Sequence, residues 1–579
     1  MGNLHVSESQ SKPRVGRSKV KSGCRTCKLR RVKCDESWPV CCRCVSTGRN
    51  CEGYGVWGGG GNQYGRRPND LGSPRSLKGL YAPTLIDTAN NDESRCLEWF
   101  TFRTVLKLPG AFRFGFWDTL VYQAVSKEPA VLHAALALSS AHKREALGID
   151  TSAADYVPDE QQQFTLRHYS KAIGHLQPHF SAHDNSSIRV ALVTCLLFVL
   201  TEYLRGHYKT GKTHLQNGIR VLNEFHARSS SIDCYSLFQE PCADSVDAWI
   251  IQAFIRLDVQ AKLLGQGSQY LNFMLEDNAS KSLIPGLIFQ SINQARQYLD
   301  RLFYHILYLT HECRTQLSPD QKSYPSILLA KQQSIQNGLT LWYQAYNLSK
   351  IHLKIKGINA HAVGYVLLHL YYTMAVIMVD NCLWPADESG YDRHTDNFAF
   401  MMKQLRYVRS LSTSPSLVGI MHYADMSNSV ADLGALPAAY YIAVKCRVRQ
   451  IRHEALASLN SLDHKEGIWN APITACIVRD VVKMEEADFY QDYEVAERAA
   501  ASWNDAEEKT TTKKKNGAVE PALPESQRLH DVQVELPGDY AGTVTLKCRR
   551  RRGSSDWQAI TRQYRYDEQS RTWVEKERA

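Results

Sequence analysis

At 579 residues the chain is too long to fold around one core, and 44% hydrophobic content gives it apolar material for a large one, so a single small domain is excluded. Lys and Arg number 69 against 59 Asp and Glu, a net charge of +10. Residues 1–51 alone hold twelve bases against three acids, a net +9, so the excess reads as N-terminal and the remainder as near neutral. A short basic segment ahead of a neutral body points that segment at a polyanion.

Residues 1–20 read as a basic, disordered tail that includes Lys12, Arg14, Arg17 and Lys19. No apolar run interrupts residues 1–22, so no secretion signal is expected and cysteine thiols should stay reduced. That expectation disfavours a disulfide framework for the cysteines just downstream. Six of them, Cys24, Cys27, Cys34, Cys41, Cys44 and Cys51, repeat the spacing C-x2-C-x6-C at an offset of 17 residues. Thiolates are soft zinc ligands, and C-x2-C supplies two from one turn. Six sulfurs fill two tetrahedral sites only if two of them bridge, and the repeat makes Cys24 and Cys41 the bridges. Two Zn2+ per chain are therefore expected. Cys42 is an extra thiol beside Cys41, able to compete with the ligands when oxidised.

The two halves differ in charge. Lys28, Arg30, Arg31 and Lys33 of the first loop align with Val45, Thr47, Gly48 and Asn50 of the second. Six thiolates and two zinc ions sum to about −2, which these four bases with Arg25, Lys19 and Lys21 exceed. The surplus is an electrostatic footprint for nucleic acid. Gly23–Cys51 resembles the fungal zinc binuclear cluster, on its six cysteines, the basic loop K-L-R-R-V-K, Asp35 after Cys34, and Pro39. The resemblance implies a short first-half helix in the major groove of double-stranded DNA. It also implies Arg30 and Arg31 on a CGG triplet, with Lys28, Lys33, Arg25, Lys19 and Lys21 on phosphates. The module is assigned to residues 21–54.

Residues 55–90 read as a flexible linker, punctuated by Gly58–Gly61, Pro68, Pro74 and Pro83. The G-x-G-x-x-G match at Gly53–Gly58 lacks a preceding strand and a following helix, so it is no dinucleotide site. No apolar heptads come after the cluster, which leaves a homodimer without a coiled coil to form it.

Residues 91–502 read as an all-α regulatory domain. Helical spacing is clearest over Ala130–His142, Arg189–Tyr203, Tyr208–Phe225, Ile250–Leu264 and His361–Asp380. Val190–Leu200 is too short to span a membrane, and Ala362–Val379 carries Gly364, His369 and Thr373, so both are expected as buried core helices. Phe112–His142 and His168–Phe225 are similar to the regulatory domain of filamentous-fungal zinc-cluster factors, which implies regulation and contact with transcription machinery or co-regulators. The sequence has no H-E-x-x-H, G-x-S-x-G or Walker motif. His133, His142, His168, His175 and His214 lie on helical segments and are expected as packing residues, as are Trp117 and Phe112–Phe116.

Residues 503–530 read as a second linker. Within 531–579, alternating runs at Val532–Leu536, Thr543–Cys548 and Ile560–Tyr566 allow a β-hairpin or three-stranded module, with Arg549–Arg552 as a solvated basic turn. The reading is a nuclear, sequence-specific DNA-binding regulator of RNA polymerase II genes and not an enzyme. Its alternatives are a metabolite-sensing regulator whose helical domain binds a small ligand, or a helical enzyme with an appended zinc module.

Overall fold

The computed structural model describes residues 24–49, 91–147, 159–229, 246–266, 270–271, 285–316, 325–355, 360–412, 429–490 and 522–576, with short gaps. The predicted tail at 1–20 and linker at 55–90 lie outside them, as do Arg25, Lys28, Lys19, Lys21 and Cys51.

The body is helical. Its main helices are α1 (Pro129–Ala146), α2 (Glu160–Ala182), α3 (Asn185–Leu204), α4 (Tyr208–Ser229), α5 (Val246–Leu263) and α6 (Ile292–Gln316). They continue as α7 (Ser326–Leu348), α8 (Ala360–Asn381), α9 (Thr395–Ser412), α10 (Leu436–Lys445), α11 (Arg449–Asn460) and α12 (Ala471–Glu486). Every helical stretch named from the sequence falls on one of these, Ile250–Leu264 running one residue past the end of α5. α1 begins with Pro129 at its first turn, where the missing N–H costs nothing, and its buried Ala130, Ala134, Ala135 and Ala137 let neighbours approach closely. α3 and residues Val363–Asn381 of α8 have the length and hydropathy to cross a membrane. Both are buried in the one large core, as the sequence led us to expect.

Charge inside this core is paired. Arg189 of α3 donates from Nε and Nη2 to Asp247 of α5 at 2.6 and 2.7 Å. A ring of alternating charge joins α5, α6 and the segment before α10. Arg256 Nη1 donates to Asp432 at 2.8 Å and Arg296 Nε to Asp300 at 2.6 Å, and the ring closes across gaps of 3.7 and 3.8 Å. The same guanidiniums lie over Phe114 and Phe112, 4.3 and 4.6 Å from the ring centres. Phe112–Trp117 is thus an anchor of the core. Glu466 is held by backbone instead: its buried carboxylate accepts from the N–H groups of Gly434, Ala435 and Leu436 at 2.8–3.0 Å, capping α10. A Cβ at Gly434 would collide with that carboxylate.

The histidines of α1 and α2 also pack. His133 Nδ1 and His168 Nδ1 lie 3.0 Å apart, with Glu93 and Lys171 beside them and His175 stacked on His133. Burial holds His133 below the ordinary imidazole value and His168 down to about 4, with mutual repulsion acting the same way on His168. His142, bonded to Thr104 at 3.0 Å, is held at about 4 by burial too. A depressed folded pKa means that stability is complete above the unfolded value of ~6.5 and is lost as pH falls toward the folded one. Tm should therefore drop by a few degrees from pH 7 to pH 5, and His168→Gln should reduce that drop, as read by calorimetry in matched buffers.

The C-terminal strands form one antiparallel sheet in the order β1-β2-β3-β4: β1 (Leu529–Glu535), β2 (Val544–Arg551), β3 (Trp557–Asp567) and β4 (Thr572–Glu575). Three were legible in the sequence; β4 was not, being four residues long. A bulge between His530 and Gln533 puts Asp531 at φ 50. Two readings are corrected. Residues 522–530, read as linker, are packed: Leu523 and Leu529 are buried, and Arg528 donates to Asp392 at 2.7 Å. Arg549–Arg551 is strand, not turn, because these residues pair with Ala559, Gln558 and Trp557 of β3. The inward face of the sheet, with Leu546, Cys548 and Tyr564, joins the helical core, and α12 receives it through Asp480, Met484 O and Glu485.

Candidate metal centre and nucleic-acid interface

Cys24, Cys27, Cys34, Cys41 and Cys44 are buried and form a core of their own with Val32 against it. The sulfurs of Cys24, Cys27, Cys34 and Cys41 all lie within 4.8 Å of one another. Cys24 Sγ is 3.5 Å from Cys41 Sγ and 3.8 Å from Cys44 Sγ; Cys27 Sγ is 3.6 and 3.8 Å from the same two. Four sulfurs ~2.3 Å from one zinc ion stand about 3.8 Å apart, so the set fits the metal. Cys24 and Cys27 of the first half each lie within 3.8 Å of both Cys41 and Cys44 of the second, so the two halves meet in one sulfur cluster. Backbone N–H groups of Cys24, Cys27 and Cys44 point at Sγ atoms of Cys34, Cys24 and Cys41, each at 3.3 Å, and would stabilise thiolate charge.

Cys42 has no place among these sulfurs.

The sequence repeat is a repeat of geometry. Val32 N–H bonds Cys27 O at 3.0 Å, and 17 residues on Arg49 N–H bonds Cys44 O at 2.9 Å. Arg31 has φ 57 and its counterpart Gly48 has φ 61. Glycine takes a left-handed backbone freely, whereas a side chain there costs about 1 kcal/mol or more. Arg31 is exposed, and Lys33 is exposed beside it on the same loop, with Val32 half-buried between them. Arg30 is half-buried and donates from Nη1 to Thr47 Oγ1, its own counterpart, at 3.1 Å. Asp35 stands out in the sequence only by its place after Cys34. Its carboxylate accepts from the N–H groups of Cys42 and Arg43 at 2.8 and 3.2 Å, at the start of the second-half helix Cys42–Val45. An acid at a helix N-terminus is a familiar signal, but the sequence does not say that it reaches across the repeat.

Two family models match the chain. Residues 22–56 match the fungal Zn(2)-Cys(6) binuclear cluster domain, and residues 109–481 match the fungal specific transcription factor domain. The chain belongs to this family of fungal zinc-cluster transcription regulators. The second match ends inside α12, ahead of the C-terminal sheet. The aspercryptin biosynthesis cluster-specific transcription regulator of Emericella nidulans is 23% identical over 557 residues, covering 81% of this chain and 88% of its own. A transcription regulator of Purpureocillium lilacinum is 27% identical over 237 residues, 39% of this chain and 55% of its own. A transcriptional regulatory protein of Schizosaccharomyces pombe reaches 50% over 42 residues, 7% of this chain and 8% of its own. DNA binding and transcription regulation are the family's role, and catalysis is not.

Proposed function

We propose that this regulator works in the nucleus on RNA polymerase II genes, holds two zinc ions, and reads CGG-type half-sites with its first-half loop. Cys24, Cys27, Cys34 and Cys41 would hold one ion, and Cys24, Cys41, Cys44 and Cys51 the other. Arg31 would contact guanine, with Arg30 beside it. Lys28, Lys33, Arg25, Lys19 and Lys21 would sit on phosphates.

One observation carries the DNA reading: Arg31 occupies a left-handed position where its counterpart is Gly48. Local stability favours glycine there, so an exposed arginine in its place is kept for contact with something outside the fold. The charge it presents suits a guanine edge, to which an arginine can donate twice. Selection of bound sites from random duplexes by the full chain tests this; recovery of sequences without a CGG triplet would overturn it.

The metal count has its own test. Elemental analysis of the purified chain should give two zinc ions per molecule, and Cys41→Ser should lose metal because it removes a bridging sulfur from both sites. Cys42→Ser should keep both ions. One zinc per wild-type chain would count against bridging.

A further inference from the structure

Three exposed apolar side chains on α2 stand in line. Leu166, Ile173 and Phe180 are 41, 41 and 57% exposed, and each is seven residues from the next. Seven residues carry a helix through almost two full turns, so the three fall within about 40° of one another and run ~21 Å along the surface. Among the described residues no other helix sets three exposed large apolar side chains in succession at that interval.

The face around them is uncharged. Ser170, Gly174 and Gln177 complete it, all exposed. The charged residues of α2, Glu160, Arg167 and Lys171, lie about 100° or more round the helix from the line, where Lys171 bonds Glu93. The outward side of a surface helix is ordinarily its charged side, so an apolar line there marks a surface meant to be covered. Gly174 is a second sign. Glycine weakens a helix interior, and a Cβ at this position would meet nothing within 4 Å, so no packing inside the fold requires it. Beside the apolar line, its bareness lets another backbone come close.

The line is also symmetric. Leu166 and Phe180 stand seven residues to either side of Ile173. Turned end for end about Ile173, α2 presents large apolar groups at the same three places.

We propose that this face of α2 pairs with the same face of a second copy of the chain, antiparallel, about a two-fold axis at Ile173. Ile173 then meets the partner's Ile173, and Leu166 meets the partner's Phe180. A two-fold contact has to be self-complementary, which an apolar line palindromic about its centre is. The absence of charge removes the like-charge repulsion that two copies of a charged face would suffer, and gives a charged partner nothing to hold. The sequence offers no heptad run after the zinc module to join two copies, and α2 supplies a contact on the regulatory domain instead. α2 has 23 residues, about 34 Å at ~10 Å width, so this face gives roughly half of the ~800 Å2 that each partner of a standard interface buries. The pair is therefore reversible, of micromolar rather than nanomolar strength. It does not depend on the DNA reading.

Sedimentation equilibrium of the full chain tests it. The wild type should show a monomer–dimer equilibrium, and Ile173→Lys, which sets two like charges on the axis, should raise its Kd about tenfold or more. The side chain is exposed, so thermal unfolding should be unchanged; Ile173→Ser, which adds no charge, should weaken the dimer in the same direction if the lysine variant misfolds. Orientation is read with a short bismaleimide cross-linker. Ile173→Cys should link to itself, whereas Leu166→Cys and Phe180→Cys should link when mixed and little when alone. Lys403→Cys, an exposed site on α9, should give only the wild-type background. A wild type that stays monomeric at its highest soluble concentration overturns the proposal and leaves the line to a different protein. A dimer untouched by both Ile173 variants, or a Leu166→Cys chain that links to itself as readily as to Phe180→Cys, overturns it too.

Discussion

Arg31→Gly should leave the zinc module folded, and somewhat more stable, while abolishing its preference for CGG. The two effects have opposite signs because they have separate causes. Glycine relieves the left-handed backbone seen at φ 57, a gain of up to about 1 kcal/mol. It also removes a guanidinium able to make a paired contact with guanine, a loss of ~1–3 kcal/mol that appears only on the matched duplex. Arg31→Ala should lose the same contact without the gain in stability. Arg31→Lys keeps the charge and should bind scrambled DNA as the wild type does, with weakened discrimination. Titration against matched and scrambled duplexes, alongside thermal unfolding of each variant, separates the outcomes. Equal loss on both duplexes would make Arg31 an electrostatic anchor only.

The largest loss of stability should come from Glu485→Gln. This carboxylate is fully buried at the end of α12, where it accepts from Arg447 at 2.9 Å, from Arg452, and from the N–H of Leu529 at 2.6 Å. Arg447 is held on its other side by Glu388 at 3.2 Å. Removing the charge leaves two buried guanidiniums short of a counterion, a cost of roughly 3–5 kcal/mol. Because Leu529 begins β1, the sheet should loosen with it, and amide exchange over residues 529–535 should accelerate. Glu535→Gln is the contrast. That residue pairs with Lys547 at 2.6 Å but both side chains are about half exposed, so the loss should be ~0–1 kcal/mol. Chemical denaturation of the two variants reads the difference directly.

Helix positions were legible because a helix writes its buried face into the sequence at a period of 3.6, and long helices such as α3 and α5 repeat it several times. β4 was missed because Thr572–Glu575 alternates for only two cycles. The four arginines at 549–552 looked like a turn because charge dominates the run. Only pairing with β3, residue by residue from Val544–Tyr564 to Arg551–Trp557, shows that alternate members face the core and the solvent. In the zinc module the cysteine repeat was plain, and aligning its halves already set Arg31 opposite Gly48. What no alignment contains is the sign of φ at that position. The buried carboxylates were illegible for a similar reason. Glu466 and Glu485 are ordinary helix-flanking acids until the backbone groups they receive are brought to them from 30 or more residues away.

Asp35 belongs to the first half of the repeat by sequence and to the second by its hydrogen bonds. Neither half is therefore a complete unit. A first half formed alone would leave this carboxylate without its donors, and a second half formed alone would start its helix with two bare N–H groups. The internal duplication is thus one cooperative object: its halves are alike in outline and order together.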